Sequence, residues 1–169
     1  MAYSSLPSHR SIPLWRILRS KPQAVAVLSG SEAHPHLSGT VQFYETGSGV
    51  LVLTSICGLP AGTGPCDSPV FGLHIHEGGA CTGTQSEPFS DALGHFNPAG
   101  CPHPYHAGDL PPVFCAAGQG LSLTLTRRFS VEQVLGRTVI LHARPDDFTT
   151  QPAGNAGKRM ACGVIRRWS

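Results

Sequence analysis

Phe71-Gly72-Leu73-His74-Ile75-His76-Glu77 is the stretch on which the fold turns. Its flanks are apolar and β-prone, so it reads as a strand, and alternate side chains of a strand share one face. His74 and His76 therefore point the same way, roughly 7 Å apart at about 3.3 Å of rise per residue. Two imidazoles placed like that can converge on one transition-metal ion. Two histidines on a wet strand face look identical in sequence, so the rest of the chain has to decide between the two.

Working outward, the 169 residues make one ordinary domain, long enough to bury a sizeable core. Charged residues contribute 13%, about half the usual share, while the chain holds 20 Gly and 15 Pro. That composition belongs to a turn-rich β protein with long ordered loops, and 40% hydrophobic residues argue against disorder. A net charge of +2, with no basic stripe interleaved with aromatics, gives no case for a nucleic-acid partner. No run approaches the roughly 18 apolar residues of a membrane span, so no membrane role is expected. Residues 1–22 read as a flexible basic arm ahead of a domain over 23–169, with Arg10, Arg16, Arg19 and Lys21 splitting its apolar residues into pieces too short for a signal peptide. The expected address is cytoplasmic. The six cysteines, at 57, 66, 81, 101, 115 and 162, pull toward the alternative of export, since none lies in a Cys-x-x-Cys pair and disulfides are the better reading.

Period-2 patterns and turn signals place strands at 24–28, 39–44 and 50–56, around the stretch at 71–77, and at 113–116, 121–126, 138–142 and 160–165. Thr46-Gly47-Ser48-Gly49 is a hairpin turn, and Ser130 to Leu135 fits one short helical turn. About eight short strands without a long amphipathic helix predict an all-β sandwich or barrel of antiparallel strands. Gly78 to Pro112 lacks strand pattern, and a loop of that length in a compact domain is functional or is held by metal or disulfide.

That loop and its flanks carry the chemistry. Six of the nine histidines fall between His74 and His142: His95, His103 and His106 in the loop, the last followed by Asp109, and His142 on a later strand. Imidazole suits copper and zinc, and a carboxylate favours zinc over Cu(I). Six histidines and an aspartate exceed what one four-coordinate ion can use, so the count points to two adjacent ions, or to one ion and several unrelated histidines. His34-Pro35-His36 is set aside as a surface loop because Pro35 spoils the strand geometry, and His9 is given no role.

At this point the chain resembles the copper/zinc superoxide dismutases, from about Ala24 to Ile165. The resemblance rests on the 71–77 stretch, Gly94-His95-Phe96-Asn97-Pro98, His106-Ala107-Gly108-Asp109-Leu110, Gly136-Arg137-Thr138-Val139-Ile140-Leu141-His142, and the run from Gly154 to Ile165, all in the family's order. It implies an eight-stranded antiparallel Greek-key barrel or sandwich with long metal-binding loops. It also implies copper on His74, His76, His95 and His142, and zinc on His95, His103, His106 and Asp109, with His95 shared. Asp146 matches the carboxylate that links a copper histidine to a zinc histidine, which fixes ring orientation. Arg159 matches the arginine that draws in the superoxide anion beside copper. Cys81 and Cys162 match the family disulfide, and Cys66 with Cys101, flanking the metal loop, is a candidate second bridge.

The implied activity is conversion of superoxide to dioxygen and hydrogen peroxide by Cu(II)/Cu(I) cycling, with His95 and Arg159 catalytic. The rival readings are a dismutase-like module that only binds metal for storage or delivery and, a poor third, a zinc hydrolase. A homodimer is among the family's assemblies. The chain departs from the family in four places: a short segment from His142 to Asn155, Ala153 where threonine is usual, a tight spacing of His103 and His106, and Pro111-Pro112 where a Gly-containing continuation is usual. Thr149 or Thr150 is a candidate substitute for the threonine. Pro111-Pro112 stiffens the exit of the zinc loop and is expected to spare the ligands.

Overall fold

The computed structural model describes residues 13–62, 64 and 69–169. Eight antiparallel strands close into one barrel: β1 (Ala24–Gly30), β2 (Ser38–Thr46), β3 (Gly49–Cys57), β4 (Val70–His76), β5 (Asp109–Ala116), β6 (Gln119–Thr126), β7 (Thr138–His142) and β8 (Arg159–Arg167). The neighbour order is β1-β2-β3-β6-β5-β4-β7-β8, with β8 returning to β1. The predicted strands are thus all present. One single-turn helix, α1 (Leu14–Leu18), precedes them, and a second, α2 (Val131–Val134), sits where a helical turn was expected and begins at a Ser130–Gln133 capping box. Of the expected basic arm, residues 1–12 lie outside the described residues; within the rest, α1 covers Leu14–Leu18 and buries none of its side chains.

Alternation builds the core. Leu28, Phe43, Ile56, Leu73, Ile75, Val113, Leu141, Met160 and Ile165 fill the barrel, each such side chain contributing about 1.5–3 kcal/mol on leaving water. What sets β4 and β7 apart is burial on both faces: all five residues of β7 and all but the first of β4 are buried. Their inner residues join the barrel core. Their outer face is roofed by the loop of residues 77–108, which adds a small apolar cluster of Ala92, Ile140 and Cys162 with Cys81 and Phe89 against it.

One strand begins earlier than its pattern suggested. β5 starts at Asp109 and runs through Pro111-Pro112, because the prolines fall at a β-bulge: Leu73 pairs with Leu110 and Phe71 with Val113, leaving two residues opposite Gly72. Proline has no N–H for the ladder, and a bulge is where that costs nothing. The early start matters, since it places Asp109 beside His74 in register.

Candidate metal centre

β4 and β7 are adjacent and antiparallel, with Leu73 opposite Leu141 and His76 opposite Thr138. That register puts His74, His76 and His142 on the shared outer face. The loop then folds back onto the end of β4: His95 forms a bridge with His76, and the Ile75 amide donates to the Gly108 carbonyl while the Phe96 amide donates to that of Ile75. Gly108 is required there, because a Cβ would lie 2.2 Å from the Ile75 carbonyl oxygen. Two groups result, His74/His76/His95/His142 and His95/His103/His106/Asp109, with the ligand atoms in each group all within 4.8 Å of one another. His95 belongs to both, and all six histidines are buried.

The hydrogen bonds say which nitrogens are free to bind. His76 Nδ1 donates to the Leu93 carbonyl (2.8 Å) and His142 Nδ1 to that of Gly157 (3.3 Å). Carbonyls only accept, so the protons sit on Nδ1 and both Nε2 atoms present lone pairs. Those two lone pairs face each other at 3.2 Å. His74 Nε2 donates to Asp146 Oδ2 (2.8 Å), leaving His74 Nδ1 buried without a partner. On the other side, His103 Nε2 donates to Asp146 Oδ1 (2.8 Å), and its Nδ1 lone pair faces Asp109 Oδ2 at 3.0 Å. His106 Nδ1 and His95 Nε2 are also unpartnered and buried. Lone pairs aimed at lone pairs and at a carboxylate repel unless a cation lies among them. The donor set fits two metal ions: four imidazoles on one side, three imidazoles and a carboxylate on the other.

The electrostatics agree. Burial pushes the pKa of His74, His76 and His106 below that of free histidine, and brings His142 down to about 3, with the neighbouring imidazoles pushing the same way. Neutral imidazole is the ligating form. Burial works to raise Asp146, but hydrogen bonds from His74, the Phe148 amide and His103 outweigh it and hold the carboxylate well below its ordinary range. Asp109 is lowered likewise: burial opposes, and the His95 hydrogen bond prevails. Asp147, next to Asp146, is an exposed loop acid. The Thr150 hydroxyl and the amides of Thr150 and Thr149 cap it and lower it to about 2. Both threonine hydroxyls, those of Thr149 and Thr150, bond Asp147.

Arg159 opens β8 in register with His142. Its guanidinium donates to the carbonyls of Phe89 and Leu93 (2.6 Å for the latter), the second being the one that also receives His76. Cys81 and Cys162 form a disulfide with Cα atoms 5.6 Å apart, tying the loop to the strand that carries Arg159. Cys66 lies outside the described residues, Cys101 and Cys57 carry free thiols, and Cys115 is buried. An open cleft of about 540 Å³ is lined by Glu87, Arg144, Lys158 and Arg159 among others. Arg144, unremarked in the sequence, lies over Gly157, where a Cβ would come 2.9 Å from its Nε. Its position two residues after His142 was the available signal.

Three comparisons bear on this centre. The family model described as copper/zinc superoxide dismutase matches residues 37–165. Among curated proteins, Superoxide dismutase [Cu-Zn] 2 of Aquifex aeolicus is 36% identical over 143 residues, covering 76% of this chain and 78% of the relative. Superoxide dismutase [Cu-Zn] of Deinococcus radiodurans is 36% identical over 148 residues, covering 77% and 78%. Among solved structures, the Cu/Zn superoxide dismutase from Brucella abortus superposes with a TM-score of 0.70 at 24% identity, over 83% of this chain and 98% of that one, a likeness of fold.

Proposed function

The chain belongs to the copper/zinc superoxide dismutase family, and from that membership we propose that His74, His76, His95 and His142 hold copper while His95, His103, His106 and Asp109 hold zinc. The activity is superoxide dismutation, with superoxide as substrate and copper and zinc as cofactors. The observation that carries the ligand assignment is the set of buried lone pairs, above all the 3.2 Å approach of His76 Nε2 to His142 Nε2 with both Nδ1 protons committed to carbonyls. When bound, copper supplies the Cu(II)/Cu(I) couple that turns one superoxide into dioxygen and the next, with two protons, into hydrogen peroxide, and zinc holds the loop and His95 in place.

The chain's own residues do the rest. Asp146 accepts from His74 and from His103 with its two oxygens, so one carboxylate orients a ring in each half of the centre. His95 directs Nδ1 to Asp109 (2.7 Å) and so presents a buried, unpartnered Nε2 to the copper half; that nitrogen would ligate copper and, when free of it, would be the atom able to hold a proton for the product. Arg159, fixed by two carbonyls, presents positive charge to the arriving anion, and Arg144 and Lys158 extend that charge along the cleft. Reconstitution with copper and zinc, metal analysis and a superoxide-removal assay with and without cyanide test the reading. Two metals per chain and cyanide-sensitive activity are expected; full copper loading without activity sinks it.

We propose in addition that two copies pair. β6 turns Leu121, Leu123 and Leu125 outward and β5 adds Phe114, all exposed. Gln119 is the remaining outward position of β6, so two copies bury this strip without stripping water from a charge. Sedimentation equilibrium is expected to give a dimer that Leu123→Glu dissociates, and a monomeric parent protein at micromolar concentration rules this out.

A further inference from the structure

The backbone of the zinc loop is gripped from outside at two places. Arg128, just past the end of β6, aims one nitrogen, Nη1, at three loop carbonyls: Pro104 (3.0 Å), His106 (3.3 Å) and Asp109 (3.2 Å). Three carbonyl dipoles converging on one point repel one another, and a guanidinium placed there reverses the sign of that interaction. On the far side, Gln151 treats His103 as a strand neighbour would. Its Nε2 donates to the His103 carbonyl (2.7 Å) and its Oε1 accepts from the His103 amide (3.0 Å).

The geometry points to Arg128 and Gln151 as positioning residues of the zinc half-site, which fix the backbone at His103, His106 and Asp109 and thereby aim the Nδ1 atoms of His103 and His106 at Asp109. The inference rests on the zinc assignment proposed above. Its physical basis is the short spacing. Only two residues separate His103 from His106, so the turn between them has few backbone groups with which to brace itself. The Tyr105 amide reaches the Pro102 carbonyl and the Asp109 amide that of His106. The His106 amide turns to Asp109 Oδ2, while the carbonyls of Pro104, His106 and Asp109 and both backbone groups of His103 meet the two outside side chains. Gln151 has a second consequence. It lies on the same loop as Asp146, whose Oδ1 receives His103 Nε2, so this loop holds His103 by its main chain and its ring together.

The test uses the full chain loaded with copper in one half and cobalt(II) as a probe in the other, alongside the copper–zinc form. Gln151→Ala and Arg128→Met are each expected to release zinc to a chelator roughly 10- to 100-fold faster than the parent, the range found when groups behind metal ligands are removed. They should also alter the intensity and position of the cobalt d–d bands while keeping full copper content. Arg128→Lys retains charge without the planar fork and is expected to fall between the parent and Arg128→Met. A bracing role confined to overall stability would instead lower the melting temperature of the metal-free protein and leave cobalt bands and zinc release as in the parent. That result, or parent-like behaviour of both variants, overturns the inference. Should Arg128→Met fail to fold, Gln151→Ala and Arg128→Lys carry the same readouts. A parent protein without tetrahedral cobalt bands refutes the zinc assignment itself rather than the roles of these two residues.

Discussion

Arg159 meets the metal centre through carbonyls rather than ligands, so charge and coordination can be separated by mutation. Arg159→Ala is expected to lower the rate of superoxide removal by about 10-fold or more and to flatten its dependence on ionic strength, since steering by fixed charge has roughly that reach. Copper and zinc content should match the parent; loss of metal would mean the residue is structural. Gly154 offers a second case. Its φ is +63°, and a Cβ there would stand 2.0 Å from Asp146 Oδ1 and 2.7 Å from His103 Nε2. Gly154→Ala therefore adds a left-handed backbone cost of about 1–2 kcal/mol and breaks the Asp146–His103 hydrogen bond. Zinc retained after dialysis against chelator should fall well below the parent's, and full retention would show that the carboxylate can move aside. At this scale sequence is informative where side chains meet side chains. His-x-His on a strand, His95 and Asp109 could be read because ligation demands particular residue types. Arg128, Gln151 and Arg159's anchors could not, because their partners are backbone carbonyls and, for Gln151, a backbone amide as well, which almost any residue supplies.

Among the elements, alternation disclosed strands wherever one face is wet, and β2, β3 and β6 fell where the period-2 pattern put them. β5 was harder. Its first half has two prolines in a bulge, and proline reads as loop unless the register of the neighbouring strand is known. The 77–108 loop was recognisable as ordered from its length and composition, yet its path depends on backbone bonds to the end of β4 that leave no pattern in sequence. The Cys81–Cys162 bridge joins that loop to β8 across a separation of 81 residues. Closing so long a loop in the unfolded chain is worth about 4 kcal/mol on the chain-entropy account. Replacing both cysteines with serine should lower the unfolding free energy by a few kcal/mol and, by freeing the carbonyls of Phe89 and Leu93 to move, weaken copper retention as well. Calorimetry paired with metal analysis reads both. A variant that loses stability but keeps copper and full activity would show that the bridge does not hold the loop over the site.

For the molecule as a whole, the barrel has taken into its wall a set of imidazoles that water would solvate, and protons must therefore act on its stability. In the metal-free protein His142 stays neutral down to about pH 3, whereas in the unfolded chain it takes up a proton near its ordinary value of 6.5. Across that window the unfolded state binds more protons than the folded one, so stability falls as pH falls. For this one group the slope is about 1.4 kcal/mol per pH unit, and the contribution is complete only above about 6.5. His74, His76 and His106 are lowered in the same direction and steepen the loss. The carboxylates of Asp109 and Asp146, also lowered, add to it only once the pH approaches the carboxylate range. Bound copper and zinc occupy the same lone pairs, so the loaded protein resists acid until protons displace the metal. The chelated protein is thus expected to show a melting temperature that drops steadily from pH 6.5 to 4.5, while the loaded protein stays nearly level over the upper part of that range. His142→Gln, which removes one of the titrating groups, should make the descent of the chelated protein shallower. A chelated protein whose melting temperature is flat from pH 6.5 to 4.5 would mean that these histidines are hydrated in solution, and the closed, water-poor centre on which the lone-pair argument depends would have to be given up.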